Sequence, residues 1–158
     1  EKAEESTMKF ILFFALFALC KALIDSNDTV KVTTTGSTCG GNCPSGSCTS
    51  CPCGSTPSYQ NIAQWCAQAT NGWNQANCQC IMNAESAANA NAMHMNSDGS
   101  TDVGLWQIND FNWPYCSNSA APCAPQQNLD CAMDVYMWGG NTWQFWVTCQ
   151  KCGCCDEN

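Results

Sequence analysis

Sixteen cysteines in 158 residues constrain this chain more than any other feature. At that density covalent cross-links hold the backbone, and they form and persist only in an oxidising compartment. Zinc competes for the same residues. The chain holds a single histidine, His94, and its cysteine spacings repeat no ligand pair, so no zinc, other metal or cofactor is expected. A chain of this length predicts one main folded unit.

The start of the chain agrees with an oxidising destination. Met8-Lys9 precedes an apolar run from Phe10 to Cys20, and small residues follow at Cys20 and Ala22. This pattern predicts a secretory signal over 8–22, with residues 1–7 an upstream or non-native leader. The run is too short for a membrane anchor, which needs about twenty apolar residues. Removal of the signal leaves an odd number of cysteines, which implies one thiol outside the intramolecular bridges or a bond between chains; otherwise a monomer is expected. The predicted location is secreted, or an acidic digestive or lysosomal compartment.

Charge narrows the partners. The formal net charge is -8 and the chain contains no arginine. Nucleic acid is excluded as a partner, because binding it requires cations to neutralise phosphates. Attraction to anionic bacterial surfaces is also weak. An acidic medium, in which carboxylates are protonated, would reduce that repulsion.

Residues 23–57 form a polar arm. Asn27-Asp-Thr29 matches an N-glycosylation acceptor. From Gly36 to Pro57 the chain is almost wholly Gly, Ser, Thr, Pro and Cys, a composition that cannot bury an apolar core of its own. It reads either as an arm stapled to the main domain or as a small disulfide-knotted recognition module. No aromatic residue is present there to stack on a sugar, which favours the first. The main domain is predicted over 58–158.

Within it, Thr56-Pro57 and Asn71-Gly72 predict the start and stop of a first helix, with Ile62, Cys66 and Ala69 inward. A second helix is predicted over 74–88, a third over 126–138 with Leu129, Ala132, Met133 and Tyr136 on one face, and Trp143, Trp146 and Val147 fall at helical spacing. Asp98-Gly99 predicts a hairpin turn with positive φ at both residues, flanked by two or three short antiparallel strands through Asn109. Residues 111–127 read as a loop, and Cys149 to Cys155 as a disulfide-anchored tail.

Two carboxylates carry the chemistry. Cys78, Ile81, Met82 and Glu85 recur at i, i+3, i+4 and i+7, so Glu85 lies on the inward stripe of the second helix. Lost hydration there raises its pKa and keeps it protonated. Asp102 follows Asn96, Ser97, Asp98, Ser100 and Thr101, whose donors favour the anion. Two carboxyls held apart in pKa suit acid catalysis of glycoside cleavage, for which lysozyme is the standard worked example.

The same residues carry a family resemblance. Cys80, then Glu85 five residues on, Asp102 seventeen further, and Gly104-Leu-Trp-Gln107-Ile-Asn109 resemble the catalytic segment of C-type lysozymes without a gap. Asn128-Leu-Asp-Cys131-Ala and Gly139-Gly-Asn-Thr-Trp143-Gln-Phe-Trp146 resemble that family's third helix and tryptophan segment. The resemblance implies an α+β fold, a helical lobe and a small antiparallel β-hairpin lobe with the active-site cleft between them, rich in disulfides. It implies a β-1,4-N-acetylmuramidase acting on peptidoglycan, with Glu85 as general acid/base and Asp102 as nucleophile or electrostatic stabiliser.

It also implies that Asn96, Gln107, Asn109, Trp113 and Trp143 bind substrate, with Trp143 packed over Glu85; a core role is the equal alternative for Trp143, hydrogen bonding within the hairpin is the alternative for Asn96 and Gln107, and Phe111 is a further aromatic candidate. His94 is an exposed loop residue on this reading. Cys80 is matched to Cys149 and Cys66 to the C-terminal cluster. Cys116, Cys123 and Cys131 are one short of the family's four central cysteines, so one bridge is lost or re-paired. Three rivals remain: a cysteine-rich structural or antimicrobial peptide-like protein whose lysozyme part is vestigial, hydrolysis of chitin oligomers, another N-acetylglucosamine-containing substrate, and a non-catalytic carbohydrate-binding or regulatory protein similar to α-lactalbumin. Against the latter, both carboxylates are present, and Cys123 to Cys131 is too poor in carboxylates for a calcium cage.

Overall fold

The structure, a computed structural model, describes residues 37–156. The signal, the leader and Asn27 lie outside the described residues.

Helices α1 (Ile62–Ala67) and α2 (Gln75–Ser86) pack together and are stapled by Cys66–Cys78. The sheet follows in the order β1 (Met93–Met95), β2 (Thr101–Val103), β3 (Ile108–Asn109), antiparallel throughout. After it come α3 (Trp113–Cys116), α4 (Pro125–Trp138) and α5 (Cys149–Cys152). The fold is α+β and disulfide-rich.

Two cores hold it. Ile81 and Met82 of α2, Leu129, Ala132, Val135 and Tyr136 of α4, and Trp73, Trp106, Trp143 and Trp146 fill the helical side. The second core joins Met93 and Val103 of the sheet to Cys39, Cys43, Cys48 and Cys53 of the arm. The described part of the arm contributes only cysteines to this core, and bridges hold it: Cys39–Cys51, Cys43–Cys48, and Cys53–Cys123 across 70 residues.

Several local expectations change. The first helix does not start at Thr56-Pro57. Residues 58–60 run extended against 88–90, with Gln60 N donating to Ala88 O at 2.9 Å and Ala90 N to Ser58 O at 2.8 Å. Asn61 is the cap instead, its side chain accepting from Gln64 N at 3.0 Å. The second helix ends at Ser86, because Ala87 and Ala88 take positive φ and reverse the chain. Residues 141–148 form turns, not a helix, and the predicted loop contains the four-residue α3, which has Pro114 in its first turn. In the hairpin only Gly99 has positive φ; Asp98 instead accepts from Ser100 N at 2.9 Å and Ser100 Oγ at 2.7 Å.

The bridges are also redistributed. Cys80 pairs with Cys152, not Cys149, because these two lie one turn apart on α5 and Cys152 is the one presented to α2. Cys149 pairs with Cys155, which the left-handed Gly153 turns back toward it. Cys66 is held by its helical neighbour Cys78 and not by the C-terminal cluster. Cys116 bonds Cys131, and Cys123 takes its partner, Cys53, from the arm. Cys154 is fully buried in the helical core.

Candidate active site

Glu85 sits one residue from the C-terminus of α2, at the lip of the helical core. The Cys80–Cys152 bridge ties α5 to α2, and Thr148, the residue before α5, donates its hydroxyl to Glu85 Oε1. Burial raises the pKa of Glu85 above the ordinary carboxyl range. The Thr148 hydrogen bond opposes that rise, and the charge of Asp102 adds to it.

Asp102 is the middle residue of β2, paired with His94 on one side and Asn109 on the other. Asn109 Nδ2 donates to its Oδ1 at 2.7 Å and Asn96 Nδ2 to its Oδ2 at 2.9 Å, so each oxygen is held by an amide. The same two amides also donate to Ser100 Oγ, at 3.0 and 3.1 Å. The carboxylate is thereby fixed in direction.

Its electrostatics depart from the sequence expectation. Burial raises the Asp102 pKa more than the two amides and the neighbouring His94 lower it, while Asp110 raises it slightly further. The hairpin is polar, but the walls of the cleft exclude enough water to outweigh its donors. The charge of Asp102 adds to the upward shift of Glu85.

The two carboxyls line one open cleft of about 440 Å³, the helix giving one wall and the sheet the other. Asn96 and Gln107 also line it. Gln107 is held by its own amide, which donates to Gly104 O at 2.8 Å and Ala92 O at 3.0 Å, with φ at 49°. Asn109 acts on Asp102 rather than on the cleft wall.

The other sequence-predicted binders lie elsewhere. Trp143 is fully buried, its ring 4.9 Å from those of Trp73 and Tyr136 and 5.0 Å from that of Trp146. It is the hub of an aromatic core and not a cleft residue. The tryptophan beside Glu85 is Trp146, anchored by its indole N–H to Trp106 O at 2.8 Å. Trp113 has its indole N–H committed to Ile108 O at 3.0 Å and forms no wall of the cleft; Phe111 is exposed and is not part of it either.

Five residues that line the cleft were not picked from sequence: Ala84, His94, Trp146, Val147 and Thr148. His94 is exposed but lies on strand β1, not a loop. A two-residue turn at Asp98-Gly99 would set Met95 opposite Asp102; the observed register is shifted by one residue and sets His94 there. Nothing local marks Thr148, whose position depends on the Cys80–Cys152 bridge.

The position of β2 is set by one further contact. Asn128 of α4 is fully buried and donates to Val103 O and Pro122 O, both at 2.9 Å, while accepting from Trp106 N at 2.9 Å. Gly104, with φ at 83°, lies so close that a Cβ would stand 2.1 Å from the Asn128 amide nitrogen. Only glycine admits this approach.

Comparison with known proteins agrees with this geometry. A family model described as a lysozyme-like domain matches residues 61–148. Lysozyme C of Takifugu rubripes is 38% identical over 61 residues, covering 39% of this chain and 41% of that protein. Lysozyme C of Scophthalmus maximus is 36% identical over 61 residues, with the same coverage. Lysozyme C-1 of Anas platyrhynchos is 43% identical over 51 residues, covering 32% of this chain and 33% of that protein. The matches thus span about two-fifths or less of the length of these relatives.

Proposed function

The chain belongs to the lysozyme-like domain family, and from that premise we propose that it is a glycoside hydrolase cleaving β-1,4 bonds between N-acetylmuramic acid and N-acetylglucosamine in peptidoglycan. The observation that supports this most is the pair of carboxyls, each raised in pKa by burial and differently tethered, on opposite walls of one cleft.

Glu85, protonated because it is desolvated and faces the Asp102 anion, delivers its proton to the glycosidic oxygen. The bond from that oxygen to the anomeric carbon breaks, and the leaving sugar departs as the alcohol. Positive charge develops on the remaining ring. Asp102, aimed by Asn96 and Asn109, stabilises or captures that charge. Water then attacks the anomeric carbon, the Glu85 carboxylate takes its proton, and the product keeps its configuration. Gln107 and Asn96 are suited to sugar hydroxyls because an amide donates and accepts together. Retention rather than inversion is what the family resemblance implies.

The oxidising chemistry that fourteen bridged cysteines require fits a secreted protein or one in an acidic digestive compartment. Hydrolysis of chitin oligomers is the second reading, and the net charge of -8 with no arginine favours it, since these substrates are neutral. Digestion of purified peptidoglycan, with mass spectrometry of the fragments, separates the two. The muramidase reading predicts fragments ending in reducing N-acetylmuramic acid. Intact peptidoglycan together with shortened chitin oligomers would replace it with the second reading.

A further inference from the structure

Glu85 borders a second hollow, of about 330 Å³, of which Asp102 forms no wall. Its far side is built by Gly41, Asn42 and Pro44 of the cysteine-rich arm and by Tyr59. All four precede residues 61–148, which carry the family match, so this wall is an addition to the matched domain.

The wall is fixed at several points. Asn42 is almost fully buried: its Nδ2 donates to Gly54 O at 3.1 Å, its Oδ1 accepts from Asn89 Nδ2 at 2.9 Å, and its backbone O accepts from Met93 N at 2.7 Å. Met95 N donates to Ser45 Oγ at 3.2 Å. Cys43–Cys48 and Cys39–Cys51 close the arm on itself, and Cys53–Cys123 ties it to the chain before α4. Tyr59 bridges to Asn89 through the backbone, which leaves its ring 71% exposed at the rim.

Chemistry assigns a side to each hollow. The ring that becomes cationic must lie over Asp102, so the cleft holding both carboxyls takes that ring. A space that touches the acid alone lies beyond the bond being broken, where the leaving group sits. We propose that the disulfide-knotted arm and Tyr59 wall a leaving-group pocket for a neutral N-acetylated sugar, an inference that rests on the hydrolase reading above.

The lining supports a neutral occupant. It is amide and apolar, and Glu85 and His94 are its ionisable groups. Pro44 and Tyr59 offer apolar faces to a sugar ring, the exposed Asn83 offers an amide, and the hollow is of a size that holds small ligands. The arm's bridges then serve recognition as well as stability, since a wall without an apolar core has no other means of staying rigid.

The test uses the full chain carrying Glu85→Gln, titrated with the hexamer of N-acetylglucosamine and followed by amide resonances. Resonances of Gly41, Asn42 and Tyr59 should shift along with those of His94 and Asp102. Adding Tyr59→Ala should weaken binding roughly fivefold, and Tyr59→Phe should restore it. A response confined to the Asp102 side, or unchanged affinity on Tyr59→Ala, overturns the arm pocket and leaves the hydrolase reading standing. No response on either side overturns the arm pocket, and the hydrolase reading falls with it only if the wild type also leaves purified peptidoglycan uncut.

Discussion

Thr148 is the residue whose chemistry is most separable from the fold. Its hydroxyl donates to Glu85 and lowers a pKa that burial has raised. Thr148→Val removes the donor while keeping the shape, so the Glu85 pKa should rise further. The alkaline limb of the pH–rate profile, where the acid loses its proton, should then move to higher pH. Thr148→Ser should return it. An unmoved limb in the valine variant would mean that the bond does not act on the reacting form. Glu85 itself was legible in the sequence because an inward stripe of Cys78, Ile81 and Met82 leaves its fourth member few other places to go. Thr148 was not legible, since residue 148 meets residue 85 only through a bridge 72 residues long in sequence. The direction of the Asp102 shift was misread for a related reason: the donors next to it in sequence are visible, but the wall that dries it belongs to another element.

At the scale of elements, the strand that carries Asp102 depends on α4 through one side chain. Asn128 accepts from Trp106 N, in the β2–β3 connection, and donates to the carbonyls of Val103, the last residue of β2, and Pro122, just before α4. Asn128→Ala leaves those groups unpaired in the interior, at a cost of about 3 kcal/mol. Thermal unfolding should show a midpoint lower by roughly ten degrees or more. Activity should fall as well, because Asp102 lies one residue from Val103, whose carbonyl Asn128 holds. A variant melting within two degrees of wild type would show that the contact is dispensable. The α2 stripe, the hairpin and the third helix were readable from periodicity and turn residues. The first helix and the tryptophan segment were not. Residues 58–60 look like a helix entry but are taken by pairing to 88–90, and Trp143, Trp146 and Val147 mimic a helical stripe although turns place two of them in the core. Aromatic burial outweighs local spacing there.

The molecule as a whole combines an acidic surface with a cleft whose ionisable groups are Glu85, His94 and Asp102. Peptidoglycan carries peptide carboxylates, so the net charge of -8 repels it at neutral pH. Raising ionic strength from about 10 to about 150 mM shortens the screening length from roughly 30 to 8 Å. The turnover of peptidoglycan should rise severalfold over that range, and that of neutral N-acetylglucosamine oligomers should barely change. A decline with salt, as a cation-rich enzyme would show, contradicts this view of the surface. The cysteine count predicted the scaffold correctly in kind, while the pairings followed which sulfurs the fold brings together. Cys53 supplying the partner of Cys123 makes the arm part of the disulfide network.

The account stands or falls on proton delivery from Glu85 inside the cleft it shares with Asp102. The most direct measurement is the rate of bond cleavage in purified peptidoglycan and in the N-acetylglucosamine hexamer by wild type and by Glu85→Gln, with circular dichroism confirming the fold of each. The predicted result is cleavage of at least one substrate by the wild type and a loss of about a hundredfold or more in the variant. A folded Glu85→Gln protein that cuts either substrate at the wild-type rate would contradict it.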